Sequence, residues 1–95
     1  MTKTAARQAD ETLALELMSA IRDMAETTCA PDEVELVSVT MDVSARTDAP
    51  ADAVFETRID RRTRTILFAG GTASIGGIVV MSATVVYSIH PAAAG

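Results

Sequence analysis

Apolar positions recur along this chain with two different periods. Between Asp10 and Thr28, residues Leu13, Leu17, Ala20, Ile21 and Met24 fall on one face at about 100° per residue, with Ala14 beside them. Glu11, Thr12, Glu16, Arg22, Asp23 and Glu26 take the remainder. The spacing predicts an amphipathic helix over 10–28 that lies on something apolar. Asp10 is placed to cap it, and Glu11 puts a carboxylate in the first turn, where the helix dipole favours negative charge. Residues 1–9 are small and polar and read as a loose arm. Thr27 and Thr28 weaken the helix, and Pro31 bars its continuation.

Beyond Pro31 the period drops to two. From Glu35 to Ala45, Val37, Val39, Met41 and Val43 face one way, and Ser38, Thr40, Asp42 and Ser44 the other. Thr47-Asp48-Ala49-Pro50-Ala51-Asp52 has turn composition. From Ala53 to Asp60, Phe55, Thr57 and Ile59 stand opposite Val54, Glu56, Arg58 and Asp60. Arg61-Arg62-Thr63 reads as a charged connection, followed by strands at Thr65–Ser74 and Ile78–Ile89, joined through Ile75-Gly76-Gly77. Such short links make hairpins, so strands adjacent in sequence are expected to pair antiparallel. The expected fold is α+β: one domain over 1–95, with one helix packed on a four-stranded antiparallel sheet spanning 35–89. Gly70-Gly71 reads as a bulge and Gly76-Gly77 as a turn. No helix signal follows either pair, so they do not make a phosphate loop.

A competing reading concerns Thr65 to Ile89, which carries no charge and is long enough to span a bilayer as a helix. The arginines just before it would suit a cytoplasmic flank. Against a membrane helix stand the two Gly-Gly pairs, six serines and threonines from Thr65 to Ser88, and the stretch Ile78–Val86, rich in β-branched residues.

Charge and composition narrow the function. With 13 acidic and 8 basic residues the net charge is −5, which argues against a general nucleic-acid binder. The basic residues do cluster once, at Arg58, Arg61, Arg62 and Arg64. The single cysteine, Cys29, cannot form an internal disulfide, so a reducing, cytoplasmic setting is expected. No histidine stands near Cys29 in sequence, which suits a small structural residue at a helix end better than a nucleophile. Cys29 and His90 are too few soft ligands for zinc. A domain of 95 residues buries a thin core, so a homodimer or homotetramer is expected.

The strand order points to a family. Val37-Ser38-Val39-Thr40-Met41-Asp42-Val43-Ser44, a proline-bearing turn, and Phe55-Glu56-Thr57-Arg58-Ile59 look like the second and third strands of hotdog-fold acyl-CoA thioesterases of the phenylacetate-pathway type. Arg61-Arg62-Thr63-Arg64, with the apolar run Thr65-Ile66-Leu67-Phe68-Ala69, is similar to that family's basic turn and apolar strand, and Ile78–Ile89 to its final strand. The resemblance covers roughly Leu13 to Ile89. It implies a hydrolase that cleaves acyl-CoA thioesters without a cofactor and assembles as a homo-oligomer by pairing sheets edge to edge.

In that family a helix carboxylate acts as general base or nucleophile, and its best match here is Glu16, with Asp23 a weaker candidate on the same flank. Ser38 matches a position that often carries a hydroxyl near the attacking water. Arg61, Arg62 and Arg64 match residues suited to the phosphates of coenzyme A. Without the resemblance, Glu16 is a solvated helix residue, Ser38 a polar strand position, and the arginines a soluble hairpin turn. The family's preceding strand and its His-Gly-Gly turn, whose amides polarise the thioester carbonyl, have no counterpart in this sequence. That difference favours the alternative function, a non-catalytic hotdog-like domain for binding or assembly.

Overall fold

The computed structural model describes residues 2–47 and 49–92. Helix α1 runs from Thr2 to Cys29 and is followed by strands β1 (Glu33–Val43), β2 (Val54–Arg62), β3 (Ile66–Ile75) and β4 (Ile78–His90), with a 3-10 turn at Pro50–Asp52. The sheet order is β1-β4-β3-β2, and every hydrogen-bonded pair is antiparallel; β1 and β2, expected to pair as a hairpin, are instead the two edges, because β4 takes the place beside β1. This is an α+β arrangement, one helix on a four-stranded antiparallel sheet, consistent with a hotdog-like fold.

The helix is longer than its apolar pattern indicates. Residues 2–9 are helical rather than a loose arm, and Asp10 lies inside α1 rather than at its cap. The reason is local: Ala5, Ala6, Arg7, Gln8 and Ala9 are good helix formers with no breaker among them. Met1 and Asp48, expected in the arm and the turn, lie outside the described residues.

The buried stripe of α1 is strictly i, i+4: Leu13, Leu17, Ile21, Ala25 and Cys29. Ala14, Ala20 and Met24 sit half-buried at its margins. Beneath the stripe lie Leu67, Ala69 and Ala73 of β3, and Met81, Ala83, Val85, Tyr87 and Ile89 of β4. Burying each large side chain of this set stabilises the fold by about 1.5–3 kcal/mol.

Residues expected to link strands β2 and β3 are themselves strand. Arg61 and Arg62 belong to β2, so the connection is Thr63-Arg64-Thr65, held by the Thr63 hydroxyl accepting from the amide of Ile66 at 3.0 Å. Gly76 and Gly77 form the two-residue β3–β4 turn with φ of +60° and +80°, as a type I′ turn requires at both positions. Gly70 and Gly71 are not a bulge: both pair in unbroken register with β2 and β4. The irregularities fall instead between Leu36 and Ser38, Ile59 and Arg61, and Ala73 and Ser74.

Thr65–Ile89 is thus a hairpin with one residue row packed on α1, which overturns the membrane-helix alternative. Among the described residues no helix is long and apolar enough to cross a membrane.

Candidate functional site

Glu16 projects from the middle of α1, one residue before the buried Leu17. It lines a groove of about 400 Å³ together with Leu15, Ser19, Asp23 and, from β2, Phe55. Phe55 reaches this place because it pairs with Ala73 on the helix side of the sheet. The groove therefore joins two carboxylates and two hydroxyls, those of Thr12 and Ser19, from one helix flank to an aromatic wall. Glu16 is exposed within the single chain.

Ser38 is not brought to Glu16. It pairs with Val86 on the sheet face away from α1, and β1 is the edge opposite to β2.

The arginines separate. The bulge at Asp60 turns Arg61 outward, opposite Phe68, and swings Arg62 inward, opposite Leu67. Arg62 Nη1 donates to the carbonyl of Thr28 at 3.1 Å. A cation there satisfies one of the unpaired carbonyls at the end of α1 and complements the dipole. Arg58 is held by Asp60 at 2.8 Å and lies over Gly70. Arg61 and Arg64 have no hydrogen-bonding or ionic partner among the described residues, which leaves them as the guanidinium groups open to a phosphate.

Two constellations escaped the sequence pattern because their members are far apart along the chain. The first joins α1, β1 and β4. Arg22 pairs with Glu26 at 3.1 Å, donates through Nη2 to the Val34 carbonyl at 3.1 Å, and stands 5.8 Å from the centre of the Tyr87 ring. With Leu15, Met18, Ser19 and Leu36 these two residues line a groove of about 230 Å³ between α1 and β1. Only the i, i+4 spacing of Arg22 and Glu26 was visible beforehand.

Burial raises the Tyr87 phenol above its ordinary value, and the Glu26 charge adds to this; the Arg22 guanidinium, by charge and hydrogen bond, pulls the other way. A raised value in the folded state means the neutral phenol stabilises the fold fully below about pH 10, and this contribution is lost as pH climbs through the folded-state value. The chain has one tyrosine and no tryptophan, so phenolate absorbance reports Tyr87 alone. The expected titration midpoint of the native protein lies above about 10, and a midpoint at or below that in the folded state would contradict the described burial.

The second constellation lies on the outer face. His90 Nε2 stands 3.1 Å from Ser88 Oγ and 3.4 Å from Glu35 Oε1. A nucleophile–base–carboxylate relay divides these contacts between the two ring nitrogens. Here both fall on Nε2, so the group is a clip between β4 and the edge strand β1. No group of three or more residues able to hold a metal occurs among the described residues.

Neither the protein-family models nor the curated proteins contain a match to this chain.

Proposed function

We propose that the chain hydrolyses acyl-CoA thioesters, with Glu16 as the reacting carboxylate. The observation that carries this reading is the position of Glu16 on a helix fixed by its buried stripe, at the mouth of a groove walled by Phe55 and Leu15. Glu16 takes a proton from water, and the hydroxide oxygen bonds to the thioester carbonyl carbon. The tetrahedral intermediate then expels the coenzyme A sulfur, which receives the proton that Glu16 holds. The Thr12 and Ser19 hydroxyls, in the same groove, are the side-chain donors offered to the developing oxyanion. No cofactor enters this scheme.

Arg61 and Arg64 are the residues offered to the nucleotide phosphates; Arg62 is committed to the helix end. Ser38 lies on the opposite face of the sheet and takes no part in this scheme. A homo-oligomer is part of the proposal, because Leu36, Val39 and Val43 remain exposed along β1. A reducing, cytoplasmic compartment suits both the lone cysteine and an acyl-CoA substrate.

The exposure of Glu16 favours the second reading, a non-catalytic domain that binds an acyl group or assembles. A hydrolysis screen over short, long and aromatic acyl-CoA esters separates the two. Turnover of at least one ester is expected, with Glu16→Gln reducing it roughly a hundred-fold or more. Equal rates for the variant would remove Glu16 from the mechanism, and no turnover of any ester would leave the binding or assembly domain as the function.

A further inference from the structure

The two edges of the sheet carry opposite charge at the ends that would meet. Strands β1 and β2 each have a neighbour on one side only, so each presents an open row of backbone donors and acceptors. Glu33 and Glu35 occupy the first half of β1 and face outward, opposite His90 and Ser88 of β4. Arg61 occupies the far half of β2 and also faces outward, with Arg64 just beyond; the neighbouring Asp60 carboxylate is taken up by Arg58 at 2.8 Å, which leaves this end of the edge positive. On the helix side, β1 leaves Leu36 and Val39 exposed at 45% and 43%, and β2 leaves Ile59 exposed at 38%.

From these features we infer that the chain assembles head to tail, with β1 of one copy pairing antiparallel to β2 of the next. Three antiparallel steps separate β1 from β2, so the two strands run in opposite directions within one sheet. A second copy in the same orientation as the first therefore presents its β1 antiparallel to the first copy's β2. That pairing lays the start of β1 beside the end of β2. Glu33 and Glu35 then meet Arg61 and Arg64 on the outer face. Inside, Leu36 and Val39 come beside Ile59 and Thr57, and the apolar layer under the helix continues across the seam.

A two-fold pairing of β1 with its own copy does worse, because it brings Glu33 and Glu35 toward the end that carries Asp42, and like charges across a seam are unfavourable. Pairing β2 with its own copy leaves Leu36, Val39 and Val43 uncovered. Head-to-tail contacts are heterologous, so they close into a ring or extend as a filament. This inference does not rest on thioester hydrolysis, and it competes with the phosphate role, because Arg61 and Arg64 cannot serve the seam and a nucleotide phosphate at once.

The test is a charge swap, read by light scattering and sedimentation velocity at low salt without nucleotide. The wild type is expected to assemble, and Glu35→Arg and Arg61→Glu are each expected to weaken assembly about ten-fold or more in dissociation constant. The double variant, and an equimolar mixture of the two single variants, should both restore it. Circular dichroism of each variant establishes that it is folded. A monomeric wild type would overturn the inference. So would an Arg61→Glu variant that assembles like wild type, since a two-fold seam along β1 ignores that residue.

Discussion

Replacing Leu17 with alanine is expected to lower stability by about 2–5 kcal/mol, the largest effect of any single truncation in α1. Leu17 is fully buried at the middle of the stripe, with Leu13 and Ile21 one turn to either side. Truncation removes its transfer free energy and leaves a void that helix and sheet cannot both close around. A domain of 95 residues has about 5–15 kcal/mol in total, so the loss is a large share of it. The expected fall in Tm is at least about 10 °C. Leu15→Ala is the control: this side chain is 70% exposed, and its loss should stay within about 0.5 kcal/mol. Thermal melts in which the two variants behave alike would show that α1 does not pack on the sheet through the Leu13–Cys29 stripe.

Gly71→Val is the second large effect, for the opposite reason. A Cβ at Gly71 would stand 2.7 Å from the Glu56 carbonyl oxygen and 3.1 Å and 3.3 Å from Cγ1 and Cδ1 of Ile21. The first neighbour is backbone of the adjacent strand and cannot rotate away. The second is the helix side chain that rests on this spot. Valine adds two methyl groups beyond that Cβ, so α1 and β2 must both move, at a cost near the top of the range of about 1–3 kcal/mol for overpacking. An Ile21→Ala background frees the side-chain part of the clash but not the backbone part. Gly71→Val should therefore cost less there than in the wild type, without becoming neutral. If denaturant titrations give the same cost in both backgrounds, Ile21 is not seated on Gly71.

What the residues disclosed in advance follows a physical line. Periods of 3.6 and 2 report local geometry, so the helix, the four strands and the Gly76-Gly77 turn were all legible. The inward row Phe55, Thr57 and Ile59 was legible for the same reason. The sheet order was not, because β1 joins β4 through contacts that no local pattern encodes. Bulges were also hidden, and each one shifts the phase of everything after it: the irregularity before Arg61 is what sends Arg62 inward to Thr28. The same effect makes the first half of β1 differ from the tidy alternation of its letters, with Val37 falling at a bulge. At the candidate site, Glu16 and Asp23 could be placed on one flank from the helical period alone. That Phe55 faces them, and that Ser38 lies across the sheet from them, depended on register. The Arg22–Tyr87 pair could not be read at all, since it joins a helix to the last strand.

Sheet order also sets a timetable for the chain as it is made. Strands β2, β3 and β4 are consecutive and can zip as a meander as soon as they emerge. Val34, by contrast, pairs with Ile89, 55 residues downstream. At synthesis rates of roughly 5–20 residues per second, β1 waits about 3–11 s for its only partner strand. Until β4 is made α1 also lacks the part of its floor supplied by Met81, Val85 and Tyr87, so the stripe of Leu13, Leu17 and Ile21 is only partly covered. A nascent chain halted just before β4 should therefore be captured by chaperones that bind apolar segments, and one extended through Ile89 should escape them.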